Sequence, residues 1–412
     1  MSMKSAPDRR TLLAGAAAAA ALAACEKPAV KPLNTKPAAS ATVAVIGAGM
    51  AGSAAALHLA RRGAKVTLFD QFEFGHERGS SHGATRLFRI AYFEHPNYVP
   101  ILQRAHAMWK AFEIEAGEQL FFETGVLEAG HPDGGFMKGL AKAVADHNLP
   151  VPQLDAAQIA RDHPQLRLPS EFVAWFEREA GFVMAGKTVA HQIRLAKEAG
   201  ASLRPSTAVM GWSPVADGVT VETTAGAERF DRLVIAAGAW ANGLIGLPVA
   251  DVKPWPRTLF WRRPQTDEFK LGAFACFAVE QTDGRFFYGF PAIDDQGVKV
   301  AEHSGGSAIQ RPEDRGNAAA PGENEAIDMF LEATIPALAH QPGSFQRCLY
   351  EVSPDHDFMI DRHPLSDRVV FAAGLSGHGF KFSPVLGEAL ATMTLDDQTP
   401  EHFKFLSLQR FS

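Results

Sequence analysis

One cysteine lies in a segment that is rich in basic, acidic and histidine side chains, all of which can take part in chemistry. The segment spans residues 347–364, reads RCLYEVSPDHDFMIDRHP, and places Cys348 between the basic Arg347 and an acidic turn broken by proline. A lone thiol can be a packed apolar group, a metal ligand, a nucleophile or a covalent attachment point. Histidines and acids follow, but no second cysteine accompanies them, so we expect no bound metal.

Composition narrows the class of protein. The 412-residue chain is 46% hydrophobic and 21% charged, which is typical of a globular protein of two or three domains. Its formal net charge of -6 argues against a nucleic-acid partner. Three cysteines cannot build a disulfide framework. The sequence contains no H-E-x-x-H, G-x-S-x-G or P-loop motif.

The N-terminal segment predicts export. Residues 1–25 read MSMKSAPDRRTLLAGAAAAAALAAC, with a basic start and an apolar stretch that is too short to span a membrane. Arg9 and Arg10 resemble a twin-arginine signal, and LAAC resembles a lipobox that would make Cys25 a lipid anchor facing the periplasm. The alternative is plain cleavage without a lipid. Residues 26–41 are rich in Pro, Ala and Lys, and we interpret them as a flexible linker.

A glycine-rich motif opens the globular part. Gly47, Gly49 and Gly52 form G-x-G-x-x-G between a short apolar strand and a helical run, and Asp70 closes a second strand about 20 residues further on. In this context Gly47 permits a tight turn, Gly49 lets the backbone approach a pyrophosphate, and Gly52 lets the helix lie close to the sheet. Asp70 can accept a hydrogen bond from ribose hydroxyls. The pattern predicts dinucleotide binding but does not separate NAD from FAD.

The far end of the chain repeats a strand, a glycine turn and a helix. Residues 368–379 read RVVFAAGLSGHG, and Ser383 and Pro384 are expected at the N-cap and first position of the following helix. If this unit packs beside the first, the dinucleotide-binding domain is assembled from distant segments. Helices are expected at 98–117, 136–147 and 187–199, and 304–325 is expected to be a surface loop.

The central runs alternate like antiparallel strands. The predicted fold class is therefore α/β, with a discontinuous Rossmann-like domain and a second domain of mostly antiparallel β-sheet plus helices. The expected boundaries are 42–118, 180–248 and 345–398 for the first domain, and 119–179 and 249–344 for the second.

Several separate motifs resemble the sarcosine oxidase and N-methyltryptophan oxidase family of FAD-dependent amine oxidases. The resemblance covers residues 42 to 395. The motifs are GAGMAGSAAALHLARRG (47–63), GSSHGATRLFRIAY (79–92), GAWAN (238–242), YGFP (288–291), GVKVAEH (297–303), CLYEVSPDHDFMID (348–361) and AAGLSGHGFKFSPVLGE (372–388).

The resemblance implies an FAD cofactor joined by a thioether from Cys348 to the flavin 8α-methyl group. It also implies that Gly377 and Gly379 contact the cofactor. We expect Arg347 to favour the thiolate form of its neighbour Cys348. The sequence departs from the family at DHDF (355–358), where Asp-Glu-His-Phe is usual, and at Ala84, where an acid is usual.

Four basic residues match positions that carry the chemistry in the family. The resemblance implies that Arg89 and Lys381 bind the substrate carboxylate, one as a fork and one as a point charge. It places Arg86 against the flavin and Lys299 near flavin N5, where a positive charge assists reaction with O2. In an extended segment Arg86 and Arg89 would point to opposite faces, and in a helical turn they would share one.

Three further residues, Tyr288, His303 and Tyr350, match positions in the substrate pocket. The sequence therefore predicts a monomeric, exported, FAD-dependent oxidase of secondary amines. The expected substrates are N-methyl amino acids, converted to amine, formaldehyde and hydrogen peroxide. The alternatives are an oxidase of a cyclic imino acid or a fructosyl amino acid, an amine dehydrogenase that reduces a quinone, and a flavin-binding protein without turnover. Retention of all the basic positions argues against the last.

Overall fold

The computed structural model describes residues 40–412. The predicted export signal, the lipid anchor at Cys25 and nearly all of the linker lie outside the described residues. Within residues 40–412, no helix is both long and apolar enough to cross a membrane.

The described chain alternates between helices and four separate sheets. The strands are β1 (Thr42–Ile46), β2 (Lys65–Phe69), β3 (Thr85–Phe88), β4 (Phe121–Phe122), β5 (Val126–Gly130), β6 (Gln153–Leu154), β7 (Val173–Glu177), β8 (Gly181–Met184), β9 (Ser202–Arg204), β10 (Val209–Val215), β11 (Gly218–Thr223), β12 (Gly226–Phe230), β13 (Arg232–Ile235), β14 (Lys253–Arg262), β15 (Cys276–Glu280), β16 (Phe286–Phe290), β17 (Val298–Glu302), β18 (Phe345–Val352), β19 (Met359–His363) and β20 (Ser366–Ala373). The α-helices are α1 (Met50–Arg61), α2 (Tyr98–Ala116), α3 (Gly135–Asp146), α4 (Ala156–Asp162), α5 (Ala185–Glu198), α6 (Ala241–Ile245), α7 (Glu323–Thr334) and α8 (Ser383–Asp396).

A six-stranded sheet brings together segments that are far apart in sequence. Its order is β19-β20-β13-β1-β2-β9, and all neighbours are parallel except the edge strand β19. Strand β1 is almost fully buried because helices pack on one of its faces and strands β11 and β12 on the other, which explains its unbroken apolar run. Helix α1 packs against α5 and α8, and the small residues Ala54 and Gly387 let α1 and α8 approach closely.

An eight-stranded sheet forms the second layer of the molecule. Its order is β18-β14-β17-β16-β15-β5-β7-β6, and the β15–β5 pair is its one parallel neighbour pair within the described residues. The predicted α/β class with a second, mostly antiparallel sheet is confirmed. Strand β18, expected in the dinucleotide-binding domain, pairs along its whole length with β14 of this sheet.

A three-stranded antiparallel sheet, β3-β8-β4, carries Arg86 in its strand β3. Strand β3 contains Arg86 but ends at Phe88, so the strand alternation expected for an extended segment does not reach Arg89. A second small sheet, β10-β11-β12, packs against the six-stranded sheet.

Two local predictions were wrong. Ser383 is the first residue of α8 rather than its N-cap, because the preceding 3₁₀ turn Phe380–Phe382 runs directly into the helix. Its hydroxyl instead accepts a hydrogen bond from Gln192 Nε2 at 2.7 Å. The segment 304–325 is not only a loop, since it contains the 3₁₀ turn Pro312–Arg315 and the start of α7.

The close approach of α1 to β1 gives a stability prediction. A Cβ atom at Gly52 would collide with the carbonyl oxygen of Gly47, and both are backbone positions that cannot move aside. We expect Gly52→Ala to lower the free energy of unfolding by about 1–3 kcal/mol, the usual cost of overpacking. Denaturant titration measures this change.

The control is Gly135→Ala at the first residue of α3, where a Cβ would meet no atom within 4 Å. That change should leave stability equal or raise it by up to about 1 kcal/mol, because alanine favours helix. Equal stabilities of Gly52→Ala and the unchanged protein would contradict the packing argument.

Candidate active site

A cavity of about 770 Å³ opens at the carboxyl ends of the six-stranded sheet. Its walls include the turn after β1, the end of β2, the loop before β3, and the glycine-rich turn after β20. The five glycines predicted to contact the cofactor lie together here. Four of them line the cavity, and the fifth, Gly52, packs against the turn at Gly47; the four are Gly47, Gly49, Gly377 and Gly379. Open parallel sheets place ligands at this edge.

The first glycine turn presents backbone amides at the start of α1. Gly47 has φ +96°, a left-handed value that other residues rarely adopt. Gly49 immediately precedes α1, and the Met50 amide donates to Ser81 Oγ at 2.9 Å. The remaining amides of the first helical turn offer partial positive charge to an anionic group.

Asp70 is fixed at the end of β2. Its Oδ2 accepts from the Ala48 amide at 2.8 Å, and its Oδ1 accepts from the Phe72 amide at 2.9 Å. The carboxylate lines the cavity next to the glycine turn, at the position where the ribose of a dinucleotide is expected.

The cavity contains polar atoms that need a ligand. Both ring nitrogens of His82 and Oε2 of Glu351 are buried without a hydrogen-bond partner in residues 40–412. Burial, aided by Arg86, lowers the pKa of His82 to about 3, so its ring is neutral. Burial raises the pKa of Glu351 to about 8, so it can donate a hydrogen bond at neutral pH. These atoms and the glycine turn fit a dinucleotide such as FAD.

A second, smaller cavity of about 60 Å³ shares Arg86, Tyr350, Gly377 and Phe380 with the first. It brings together nearly all of the predicted substrate and tether positions. Its remaining lining residues are Leu87, Arg89, Glu94, Leu259, Phe286, Tyr288, His303, Cys348, His378 and Lys381.

Arg89 is held on several sides. Its Nη2 donates to both oxygens of Glu94 at 2.8 and 3.0 Å, and its Nη1 donates to the Ala91 carbonyl at 3.1 Å. Its Nε lies 3.4 Å from Glu128 Oε1. Burial alone would lower the pKa of Arg89, but Glu94 and then Glu128 outweigh it and raise the pKa above its usual value. The guanidinium is therefore charged.

Lys381 lies next to Arg89 in the 3₁₀ turn after β20. Its Nζ donates to the His378 carbonyl at 2.8 Å and to Tyr92 Oη at 3.3 Å. Burial and the charge of Arg89 lower the pKa of Lys381 to about 7, against the opposing effect of the nearby acids. A bound carboxylate would raise this pKa and restore the full charge.

Lys299 lines neither of these two cavities, unlike the other predicted catalytic and substrate-binding residues. It is 3% exposed, and its Nζ donates to the Thr85 carbonyl at 2.8 Å and to Thr85 Oγ1 at 3.3 Å. It therefore lies directly behind the strand that carries Arg86. Burial, followed by Arg86, lowers the pKa of Lys299 well below its usual value.

Arg86 lies where the two cavities meet. Its Nη2 donates to the carbonyls of Ser80 and His82, each at 2.7 Å, and its Nη1 donates to its neighbour Thr85 at 2.8 Å. These carbonyls fix the guanidinium in the loop that also lines the large cavity, over the ring of Phe380.

The aromatic wall of the small cavity is hydrogen bonded. Tyr350 Oη lies 3.4 Å from Tyr288 Oη and 3.3 Å from His303 Nδ1. Burial, with Arg257, lowers the pKa of His303 to about 3, so this ring is neutral and acts as a polar wall rather than a cation.

Cys348 is 2% exposed and faces the small cavity from β18. The expectation that Arg347 assists it was wrong. Successive strand residues point to opposite faces, and Arg347 donates to Thr258 Oγ1 at 2.7 Å and to Glu323 Oε2 at 3.0 Å on the far side.

Sequence reasoning missed the acids around Arg89. Glu94 follows Arg89 by one short turn, and this spacing gives no clear signal. Glu128 interrupts VLEAG, an otherwise apolar strand that is buried throughout. An acid inside a buried strand is rare unless it is paired, so that position carried a signal.

The comparisons with known proteins agree with this arrangement. A family model described as FAD dependent oxidoreductase matches residues 42–393. N-methyl-L-tryptophan oxidase of Salmonella agona is 34% identical over 371 residues, covering 89% of this chain and 98% of that protein. The enzyme of the same name from Citrobacter koseri is 35% identical over 348 residues, covering 84% and 92%.

Among solved structures, NikD, an unusual amino acid oxidase essential for nikkomycin biosynthesis, has a TM-score of 0.78 at 24% identity, covering 89% of this chain and 97% of that chain. At that identity the likeness concerns the fold. The chain belongs to the family of FAD-dependent oxidoreductases, and the resemblance predicted from its motifs is confirmed. It is an FAD-dependent oxidoreductase.

The position of Asp70 gives a prediction about cofactor affinity. Asp70→Ala removes the acceptor that holds the Ala48 amide and faces the large cavity. We expect the dissociation constant of FAD to rise about tenfold to a hundredfold, since hydrogen bonds to charged groups contribute about 1.5–3 kcal/mol. Titration of apoprotein in a Cys348→Ser background measures it without interference from a covalent bond.

Asp231→Ala is the matched control. Asp231 Oδ2 accepts from the Thr42 amide at 2.7 Å, but Asp231 does not line the cavity. This variant should lose some stability and keep its FAD affinity. An equal loss of affinity in both variants would assign Asp70 to folding alone.

Proposed function

We propose that this protein oxidises N-methyl-L-amino acids, in the reaction R-NH-CH₃ + O₂ + H₂O giving R-NH₂, formaldehyde and H₂O₂. The observation that carries the proposal is the convergence of two buried basic residues, Arg89 and Lys381, in a pocket that adjoins the cofactor cavity. The similarity to N-methyl-L-tryptophan oxidases over most of the chain supports the same substrate class.

Bound FAD would supply the redox chemistry by accepting the hydride equivalent from the amine. The residues of this chain orient the substrate. Arg89 can bind both oxygens of a carboxylate, and Lys381 can add a point charge. A substrate carboxylate reaches Arg89 Nη2 only by replacing Glu94, whose side chain is 15% exposed and can turn towards solvent. Orienting the substrate removes much of the entropic barrier.

The remaining walls of the small cavity exclude water and surround the amine end of the substrate. The small cavity is lined by Leu87, Leu259, Phe286 and Phe380, with Tyr288 and Tyr350 as its hydrogen-bonding groups. Because His303 is neutral, it adds no cation that would repel the substrate ammonium. Cyclic imino acids and fructosyl amino acids carry the same carboxylate, and they remain the alternative substrates. A panel of N-methyl, cyclic and fructosyl amino acids with a peroxide readout tests the proposal, and faster turnover of a cyclic or fructosyl substrate would overturn it.

We also propose the covalent attachment of FAD through Cys348. The new bond joins Sγ to the 8α carbon, and the two displaced hydrogens pass to dioxygen as H₂O₂. Support comes from the position of Cys348 in the lining of the small cavity, which shares Tyr350 with the large cavity, and from its family match. Export to the periplasm, lipidation of Cys25 and the monomeric state remain proposals based on the sequence. A quinone in place of O₂ would suit a membrane-anchored form.

The carboxylate clamp gives the first prediction. Arg89→Gln and Lys381→Met should each weaken acetate binding to the holoenzyme by roughly 1.5–3 kcal/mol, because each removes a hydrogen bond to a charged group. The perturbation of flavin absorbance by acetate measures the affinity. Lys142→Met on the exposed face of α3 is the control and should not change it. Unchanged acetate affinity in both pocket variants would refute the clamp.

The tether gives the second prediction. Acid-precipitated holoprotein should stay yellow, and a Cys348 peptide should carry the mass of FAD. Cys348→Ser should release all its flavin on denaturation. The matched control is Cys276→Ser, since Cys276 is also buried but contacts Thr124 at 3.4 Å. Flavin that washes out of the denatured unchanged protein would disprove the covalent bond.

A further inference from the structure

Glu128 is a buried acid beside the substrate pocket that the proposed chemistry does not use. It lies in the middle of β5 and is 0% exposed. In the part of the chain that the structure describes, neither carboxyl oxygen has a hydrogen-bond partner. Its Oε1 lies 3.4 Å from Arg89 Nε, whereas Glu94 binds Nη2 of the same guanidinium. Burying such a group without partners costs free energy, so a role in folding does not account for it.

A neighbouring acid shows what a structural carboxylate looks like here. Glu177, on the adjacent strand β7, accepts from the Ile90 amide at 2.8 and 3.0 Å and from the Ala91 amide at 3.0 Å. These bonds fix the backbone that follows Arg89. Glu128 makes no such bonds, and Arg89 is its close contact with a charged group. Any effect of Glu128 on the substrate pocket is therefore transmitted through Arg89.

Four charged groups interact electrostatically with Glu128. Arg89 and Glu94 face it from the segment after β3, Glu177 from β7, and Lys381 from the turn after β20. Strand β15 contributes Ala278 opposite Glu128, and the buried side chains of α3 are apolar. Tyr288 lines the adjoining pocket as a neutral phenol.

We propose that Glu128 is a positioning residue for Arg89, and that a substrate carboxylate binds Arg89 well only while Glu128 holds a proton. This inference rests on the proposed role of Arg89 as the carboxylate clamp. A neutral Glu128 occupies the Nε edge and leaves the positive charge of Arg89 available. An ionised Glu128, 3.4 Å from Arg89 Nε, would neutralise that charge and repel the incoming carboxylate.

The direction of the pH dependence follows. Burial raises the pKa of Glu128 to about 8; Arg89 opposes this shift, while Glu177 and Glu94 add to it. Below that pH Glu128 is protonated, and Arg89 can bind a substrate carboxylate. Above it the group ionises, so carboxylate binding must be accompanied by uptake of one proton. The dissociation constant should then rise up to about tenfold per pH unit.

Lys381 must be separated from this effect, because its pKa of about 7 also weakens anion binding as the pH rises. The test therefore uses holoenzyme of Lys381→Met and of Lys381→Met with Glu128→Gln. Acetate is the probe, and flavin absorbance reports its affinity between pH 6.5 and 9.5. We expect Lys381→Met to lose affinity by up to about tenfold per pH unit once Glu128 ionises, with an onset above pH 8 because Lys381 itself lowers the pKa of Glu128. The double variant should hold its pH 7 affinity across the range.

Calorimetry in two buffers of different ionisation enthalpy provides a second readout. Lys381→Met should take up about one proton per acetate at pH 9, and the double variant should take up none. Thermal unfolding of Glu128→Gln should occur at the same or a higher temperature, since no hydrogen bond is lost.

Three results would overturn the inference. An unchanged alkaline loss in the double variant removes Glu128 from the coupling. A lower unfolding temperature with an unchanged pH profile assigns Glu128 to folding. Acetate affinity that is insensitive to Arg89→Gln would refute the clamp itself, and the proposed function would fail together with this inference.

Discussion

Arg89 and Lys381 carry positive charge into a pocket from which water is almost excluded, and the surrounding structure compensates for that burial. Two like charges side by side in a low dielectric destabilise each other, and the lowered pKa of Lys381 reflects this repulsion together with burial. Glu94 offsets it as the ionised partner of Arg89, whereas Glu128 is protonated at neutral pH and adds no charge. The pocket is therefore close to electrically balanced before any substrate enters. An arriving carboxylate takes the place of a negative charge that is already there.

This exchange depends on two sheets that meet at the site. The eight-stranded sheet supplies Cys348 and Tyr350 from β18, Tyr288 from β16 and Lys299 from β17. The turn after β20 of the six-stranded sheet supplies Lys381. The substrate pocket forms only where these surfaces meet, and Tyr350, Gly377 and Phe380 line both cavities. Gly377 has φ +80°, and a Cβ there would collide with the Tyr350 ring, so the contact between the two layers requires glycine.

The sequence predicted the features that local pattern determines. The glycine turn with Asp70 was recognisable because strand, turn, helix and acid follow one another within a short stretch. The basic residues could be assigned only by family resemblance, because Arg86, Lys299 and Lys381 come from segments far apart in the chain. Spacing could not show that Arg347 points away from Cys348 until the register of β18 against β14 was known. Glu94 contacts Arg89 across a short turn, and Glu128 contacts it from a different strand. Neither contact follows a helical or strand periodicity that the sequence would show.

Lys299 and Lys381 show how one residue type takes different roles through its surroundings. Lys381 has the acids around Arg89 nearby, which keep its pKa near neutrality. Within the described residues, Lys299 has no carboxylate in ion-pair range, and its ammonium would be stabilised only by Thr85 and by the ring of Phe290 at 4.7 Å. Burial, followed by the charge of Arg86, lowers the pKa of Lys299 well below the usual value for a lysine. Negative charge that develops in the wall next to Arg86 would act in the opposite direction and favour the cationic form of Lys299.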